Sequence, residues 1–247
     1  MDGWSSVEEL TRFGFGQAQV VMANEAHNRL ERCIRTRDVG VRMIRAAHEA
    51  GVRRLAMEAL PWPDNGSPGP IRTMPAGYGG YLAQPDMRRL ITTALDLGWS
   101  LWAYEAEIEV AADADPAELL TLEFSNRRDY EQARNLCQVL ATAPAEPLLV
   151  WTGGGHASKQ PSHGWVTMGC HFPAMSGTSP FVIDQTVTID FAGRRTQPWA
   201  EPLLAGLGET LGALGGTAGI LRDQAPPPLN TWPGVDAVII STDNALT

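Results

Sequence analysis

The sequence lacks the features that mark membrane, secreted and nucleic-acid-binding proteins. No apolar run approaches the roughly 20 residues of a membrane helix, so we expect no membrane span. The opening residues, MDGWSSVEE, have neither the basic start nor the apolar stretch of a signal peptide, which predicts a cytoplasmic location. A net charge of −9 argues against a nucleic-acid partner, because phosphate binding depends on a basic surface.

Cysteine is also scarce. The three cysteines, Cys33, Cys137 and Cys170, are far apart and form no Cys-x-x-Cys pair, which excludes a disulfide framework or a zinc knuckle and predicts buried, reduced thiols. What remains is a chain of 247 residues that is 44% hydrophobic and 19% charged, as is typical of a globular protein. We expect a single α/β domain over residues 1–247.

Short apolar runs alternate with helical patterns along the chain. Buried parallel strands are predicted at Gln17 to Ala23, Val52 to Met57, Ser100 to Tyr104 and Pro147 to Thr152. Helices are predicted at Arg37 to Ala50, from Pro85 to Gly98, at Arg127 to Ala143 and in the Gly- and Leu-rich segment before residue 222. Further strands are predicted at Trp165 to Gly169, Phe181 to Ile189 and Val235 to Ser241. The alternation predicts an α/β fold with a mostly parallel central β-sheet flanked by helices.

A Pro- and Gly-rich segment at 61–83 is too long for a simple connection, so we expect a loop or a lid there. Its aromatic residues Trp62, Tyr78 and Tyr81 suit a lid over an apolar substrate, or they pack the loop against the domain.

Acidic and imidazole side chains follow the first four predicted strands. They are Glu25 and His27 after the first strand, Glu58 after the second, Glu105 and Glu107 after the third, and His156 after the fourth. Because the carboxyl ends of parallel strands meet at one edge of a sheet, we expect these side chains to lie together. Acid–base active sites consist of histidine and carboxylate side chains held close to one another. The sequence therefore predicts a reaction site at this edge.

Other patterns are less informative. Gly154 and Gly155, beside His156, either let backbone N–H groups approach a substrate oxygen or form a plain tight turn. A run of arginines has two possible roles: it steers an anionic substrate toward the site, or it forms a solvated helix face. The solvated face is the commoner case for such a run. The arginines are Arg29, Arg32, Arg35 and Arg37. No Gly-x-Ser-x-Gly elbow is present, so a serine nucleophile of the α/β-hydrolase type is not expected. We assign no role to His163 or His171.

Four short motifs, in this order, resemble those of the erythromycin esterase/ChaN-like superfamily, which also includes the TIKI and TraB proteins. They are NEAHN at 24–28, RRLAMEAL at 53–60, RRDYEQARN at 127–135 and LLVWTGGGHASK at 148–159. The residues Asn24, Gln132 and Gly153 depart from the esterase branch, and the fourth motif is closer to the ChaN and TraB type.

The resemblance implies which residues form the pocket. Matched position by position, the pocket residues would be Glu25, His27, Glu58, Arg128 and His156. Substrate contacts are predicted for Arg29, Tyr78, Tyr81, Glu105, Gly154 and Gly155.

The predicted activity is hydrolysis, or a related acyl transfer, at an ester, lactone or amide bond of a small molecule or peptide, for example in natural-product metabolism. Water held between His27 and a carboxylate would be the nucleophile, with His27 as the general base. His156 would protonate the leaving group or, with Arg128, hold the developing oxyanion.

Two alternatives use the same pocket. Its imidazoles and carboxylates suit a divalent metal ion with an open position for water, held by Glu25, His27, Glu58 and His156, as in metal-dependent TIKI-like relatives. The other is a non-catalytic protein that binds haem or another ligand, as ChaN-like members do, or an inactive scaffold. Nothing in the sequence fixes the oligomeric state.

Overall fold

The computed structural model describes residues 3–25, 30–63, 66–75, 80–108, 117, 119, 121–186, 200–231 and 233–241. The helices are α1 (Val7–Gln17), α2 (Leu30–Glu49), α3 (Pro85–Asp96), α4 (Leu122–Ala141), α5 (Met168–Ser176) and α6 (Ala200–Ala213). The strands are β1 (Val20–Glu25), β2 (Arg54–Met57), β3 (Ser100–Ala103), β4 (Leu148–Gly153), β5 (Phe181–Asp184), β6 (Thr217–Leu221) and β7 (Ala237–Ser241).

The described strands form one sheet in the order β3-β2-β4-β1-β5-β7-β6. Every neighbouring pair is parallel except β6 with β7, which is antiparallel. The predicted α/β fold with a mostly parallel sheet is therefore confirmed. No helix in the described ranges has both the length and the apolar character of a segment that crosses a membrane.

Both faces of the sheet are covered by helices, which is why nearly every strand residue is buried and most are apolar. Alternate residues of β1 enter opposite cores: Val21 contributes to the core beneath α1, α2 and α3, whereas Met22 contributes to the core beneath α4, α5 and α6. The chain leaves β1 toward α2 on the first face and leaves β4 toward α5 on the second. Adjacent strands whose connections diverge in this way leave a crevice at their carboxyl ends, where ligands bind in open α/β sheets.

Each outer strand is paired with one residue of a crossing segment. On β3, Leu101 exchanges two backbone hydrogen bonds with Ile71, both 2.9 Å long. On β6, Gly219 does the same with Ser5, at 2.8 and 2.9 Å. Ile71 belongs to the Pro- and Gly-rich segment, so this part of the segment is attached to the edge of the sheet. Whether the segment acts as a lid stays a prediction.

The predicted strands correspond to β1, β2, β3, β4, β5 and β7, with shifted bounds. The strand predicted at Trp165 to Gly169 is wrong, because the hydroxyl of Thr167 accepts a hydrogen bond from the backbone N–H of Cys170 and begins α5. The strand predicted to reach Ile189 ends at Asp184, and residues 187–189 lie outside the described residues. Neither α1 nor β6 was predicted.

Gly40 lies where α2 packs closely against the sheet and α3. A Cβ atom at Gly40 would lie 2.5 Å from Trp151 Cη2 and 2.6 Å from Leu90 Cδ1. We therefore expect Gly40→Ala to lower the free energy of unfolding by about 1–3 kcal/mol through overpacking, despite the better helix propensity of alanine. Urea unfolding measures this change.

The matched control is Gly208→Ala in α6, where a Cβ atom would meet no heavy atom within 4 Å. That substitution is expected to stabilise the protein by roughly 0.5–1 kcal/mol, because a helix disfavours glycine. Equal effects at the two glycines would contradict this account of the α2 packing.

Candidate active site

His156 and Asp129 form a hydrogen-bonded pair at the carboxyl edge of the sheet. His156 lies in a short 3₁₀ helix, Gly154–Ala157, that directly follows β4. Its Nδ1 atom is 2.8 Å from Asp129 Oδ1, and its side chain is 17% exposed while that of Asp129 is fully buried. When Nδ1 donates to the carboxylate, Nε2 is left as the acceptor nitrogen. This nitrogen lies 3.4 Å from Arg128 Nη1.

Asp129 is held by two further donors. The backbone N–H of Met168 donates to its Oδ1 atom at 2.6 Å, and the indole N–H of Trp165 donates to Oδ2 at 2.8 Å. Trp165 also packs edge-on against His156, with ring centroids 5.1 Å apart. Asp129 lies inward because it shares the buried face of α4 with Ala133. The carboxylate is therefore fixed in the orientation that positions the imidazole.

Arg128, the neighbour of Asp129, binds two carboxylates. Its Nε and Nη2 atoms donate to the two oxygens of Glu105 at 2.9 and 2.6 Å, and Nη2 lies 3.5 Å from Glu58 Oε2. Gln132, one turn along α4, also donates to Glu105, at 2.9 Å. Burial alone would lower the pKa of Arg128, but the hydrogen bond to Glu105 and the charges of Glu105 and Glu58 raise it above its ordinary value. Arg128 therefore stays a cation beside His156.

A cavity of about 500 Å³ opens beside this cluster. Its lining combines the reactive groups with apolar side chains: Leu119, Leu122, Phe124, Ser125, Arg128, His156 and Trp165. The hydroxyl of Ser125 donates to the backbone carbonyl of Thr121 at 3.0 Å. His156 thus faces a space that admits a small molecule.

Glu25 belongs to a second network, on the α2 side of the sheet. Its carboxylate is fully buried and accepts from Arg37 Nε at 2.9 Å, from Arg37 Nη2 at 3.2 Å and from the indole N–H of Trp151 at 3.0 Å. The hydroxyl of Tyr81 also donates to it. Arg37 also forms an ion pair with Asp86, in which its Nη1 atom lies 2.7 Å from Asp86 Oδ2.

Arg37 and Tyr81 of this second network keep their protons. Burial alone would lower the pKa of Arg37, but its hydrogen bonds and charge interactions with Glu25 and its hydrogen bond to Asp86 raise it. Burial, together with the negative charges of Glu25 and Glu58, raises the pKa of Tyr81 well above its ordinary value, so its hydroxyl keeps its proton. Both oxygens of Glu25 are occupied by these donors, which suits a residue that ties β1 to α2 and to the segment around Tyr81.

The structure therefore divides the predicted site residues. It brings Glu58, Glu105, Arg128 and His156 together, and it places Glu25 with Tyr81 in the second network. Gly154 and Gly155 lie beside His156 and line a neighbouring cavity. His27, Arg29 and Tyr78 lie outside the described residues, so their roles stay predictions.

Within the described part of the chain, no group of three or more His, Cys, Asp and Glu side chains has the arrangement of a metal site. Of the set predicted to bind a metal, Glu25 already receives hydrogen bonds from Arg37, Tyr81 and Trp151, and His27 is not described. Glu58 and His156 are the remaining members.

Asp129, Trp165 and Arg37 were not predicted as site residues. Asp129 stands inside the third motif, and its spacing of four residues from Ala133 was an available signal for an inward side chain. Of the two alternatives for the arginine run, the commoner one, a solvated face, is wrong for Arg35 and Arg37, because each is 1% exposed. Arg37 is buried because it neutralises Glu25.

No known protein family matches the sequence, and no curated protein matches it either. Among solved structures, the chain is similar to the type III effector HopBA1, with 13% identity and a TM-score of 0.41 over 72% of this chain and 82% of that one. It is also similar to a structure described as bacterial protein toxins, with 14% identity and a TM-score of 0.45 over 74% of this chain and 37% of the other.

Proposed function

We propose that this protein is a hydrolase, or a related acyl-transfer enzyme, that uses His156 as its general base on an ester, lactone or amide bond. The observation that carries the proposal is the 2.8 Å hydrogen bond between His156 Nδ1 and buried Asp129, in the wall of an open cavity. An imidazole whose Nδ1 is fixed by a carboxylate presents Nε2 as a proton acceptor. The same carboxylate–imidazole arrangement provides the general base in hydrolytic triads on unrelated folds.

The nucleophile in this proposal is water. The one hydroxyl side chain described in the lining of the cavity, that of Ser125, donates within its own helix. His156 Nε2 takes a proton from water while the water oxygen bonds to the carbonyl carbon and the carbonyl π electrons move to its oxygen. The tetrahedral intermediate then re-forms the carbonyl, its bond to the leaving oxygen or nitrogen breaks, and His156 returns the proton to that atom. The products are an acid and an alcohol or amine.

Arg128 is the group that would stabilise the oxyanion. Its Nη1 atom is 3.4 Å from His156 Nε2, so an oxyanion formed beside Nε2 meets a guanidinium. Glu105 and Glu58 have a different role: their hydrogen bonds and charges orient Arg128 and keep it protonated. The proposal also includes a cytoplasmic location, which suits the unpaired thiols of Cys137 and Cys170.

The test is a hydrolysis screen with the purified full chain. The substrates are p-nitrophenyl esters, a lactone and an anilide, assayed after dialysis against EDTA and again with added Zn²⁺ or Mn²⁺. We expect the EDTA-treated protein to hydrolyse at least one class of substrate. Hydrolysis that depends on added metal would overturn the metal-independent mechanism, and no hydrolysis under either condition would overturn the function.

A further inference from the structure

A second cavity, of about 360 Å³, lies beside the first and shares Trp165 with it. Gly155 of its lining is bonded in the chain to His156, which lines the first cavity. The second cavity therefore adjoins the proposed catalytic residue, although the proposed mechanism makes no use of it. Its lining residues are Asn24, Gly154, Gly155, Ser158, Gln160, Ser162, Trp165, Thr167, Asp184, Thr186, Pro233 and Val235.

The polar side chains at the strand ends of this lining are bonded to groups inside the protein. Asn24 donates from Nδ2 to the carbonyl of Gly154 at 2.8 Å, and its Oδ1 accepts from the backbone N–H of Gln185 at 2.9 Å. Thr186 donates to Asp184 Oδ1 from its backbone N–H and from its hydroxyl, each at 2.7 Å. These groups need no ligand to satisfy them.

Three further hydroxyls of the lining are also bonded within the protein. The hydroxyl of Ser158 donates to the carbonyl of Gln160 at 3.0 Å, and the hydroxyl of Thr167 donates to the carbonyl of Ser158. The hydroxyl of Ser162 lies 2.9 Å from Nδ1 of His163. The composition of the lining therefore overstates the polarity that a ligand meets.

The surface that this wall presents to the cavity is mainly apolar. It includes Trp165, Pro233 and Val235, and the indole N–H of Trp165 is already bonded to Asp129 at 2.8 Å. A Cβ atom on Gly155 would lie 2.9 Å from Cζ3 of Trp165, so the absence of a side chain at this glycine lets the ring rest on the backbone. An apolar wall of this kind favours a hydrocarbon group, because binding removes apolar surface from water.

The volume of the cavity sets the size of that group. An apolar cavity of about 150 Å³ admits benzene. The second cavity, at about 360 Å³, has room for an alkyl chain of several carbon atoms.

We infer that the substrate is an ester of an apolar carboxylic acid, and that the second cavity holds its acyl chain. The inference rests on the proposed function, because it takes His156 to be the residue that acts on the ester bond. An acyl chain that lies against Trp165 has its carbonyl carbon beside His156, and the leaving alcohol faces the first cavity. Gln160, whose side chain is exposed at the rim of the second cavity, is a specificity-determining residue in this arrangement.

The first experiment compares p-nitrophenyl esters of acetic, butyric, hexanoic and octanoic acid, which differ only in the acyl chain. We expect kcat/KM of the wild-type protein to rise by about threefold for each added methylene until the cavity is full, because each methylene is buried. Gln160→Trp puts an indole ring into the cavity, so the ratio of kcat/KM for octanoate to that for acetate is expected to fall by about tenfold or more. Ser162→Trp, at another exposed position of the same wall, replaces it if Gln160→Trp does not fold.

The control is Thr92→Trp on the exposed side of α3, which adds the same ring outside both cavities. It is expected to keep the octanoate-to-acetate ratio within about twofold of the wild type. A wild-type protein with no preference for longer chains, or an equal fall of the ratio in both variants, overturns the inference.

A binding measurement separates this inference from the proposed function. Octan-2-one, a ketone with a hexyl chain and no ester bond, is titrated calorimetrically into the wild-type protein and both variants. Binding with a negative heat-capacity change that Gln160→Trp weakens and Thr92→Trp does not supports the apolar subsite, even if no ester is hydrolysed and the hydrolase is thereby overturned. Absence of octan-2-one binding, or binding that Gln160→Trp leaves unchanged, overturns the inference, while hydrolysis of p-nitrophenyl acetate still supports the enzyme.

Discussion

His156→Asn is expected to lower kcat/KM for ester hydrolysis by about 10²–10⁴-fold, the range that a general base contributes. Asparagine approximates the position of the Nδ1 donor that binds Asp129, so the buried carboxylate keeps a partner, but it has no basic nitrogen to accept a proton from water. The measurement is steady-state hydrolysis of the best ester from the screen, together with a thermal unfolding curve that shows the variant is folded.

The matched control is His171→Asn. His171 lies in α5 and contacts Tyr130 edge-on, with ring centroids 5.3 Å apart, outside the lining of both cavities. Its activity is expected to stay within about twofold of the wild type, since the general base is untouched. If His156→Asn is as active as His171→Asn, His156 is not the base.

Asp129→Asn provides a second variant with a different signature. The amide offers a donor where the carboxylate accepts from His156, Trp165 and Met168, so the imidazole loses the partner that fixes its tautomer. We expect a loss of at least about 10²-fold in kcat and an altered pH profile, because Asp129 acts through His156. A loss of stability with an unchanged kcat and pH profile would assign Asp129 a purely structural role.

Arg37→Met is expected to lower the free energy of unfolding by about 3–5 kcal/mol, the cost of removing one partner of a buried ion pair. Glu25 is fully buried and receives two hydrogen bonds from Arg37. Urea unfolding followed by circular dichroism measures the change.

A surface pair with the same chemistry gives the control. Arg42 donates to both oxygens of Glu8 at 2.7 and 2.8 Å, but these side chains are 31% and 34% exposed. Arg42→Met is expected to cost about 0–1 kcal/mol, because solvent screens a pair of this kind. Equal costs at Arg37 and Arg42 would show that burial does not set the energy of the Glu25 network.

If Arg37→Met does not fold, the double variant Arg37→Met with Glu25→Met keeps the prediction testable. The double variant buries neither charged group of the pair, so it is expected to be more stable than Arg37→Met alone. A double variant no more stable than the single one would contradict the role assigned to the ion pair.

The sequence was sufficient for the strands of the central sheet because a strand covered on both faces is a short apolar run, as in β1 and β4. The sequence was insufficient to predict elements whose side chains are small or whose start is set by a helix cap. The strand β6 reads Thr-Ala-Gly-Ile-Leu, with little apolar bulk, and α1 contains two glycines although a capping box of Ser6 and Glu9 begins it. In α5, the cap at Thr167 outweighs the strand-favouring residues Trp165 and Val166 before it.

The site was predictable only in part, for a related reason. Glu58 directly follows β2, and Glu105 and His156 lie shortly after the ends of β3 and β4, so their convergence follows from the parallel sheet. Trp165 reaches Asp129 from a loop 36 positions further along the chain, and no local pattern encodes a contact at that separation. Arg37 lies in a run of arginines that looks like an ordinary solvated helix face until the fold brings Glu25 beneath it.

The pairings of Ile71 with β3 and of Ser5 with β6 have a consequence for the tendency of the protein to aggregate. An outer strand with unsatisfied backbone groups is a template on which another molecule can add a strand and start an aggregate. Here one residue on each side occupies the outward N–H and C=O groups at the middle of the strand, at Leu101 and at Gly219. The sheet is thus protected against edge-to-edge growth by two residues, and protease cleavage near either one would remove that protection.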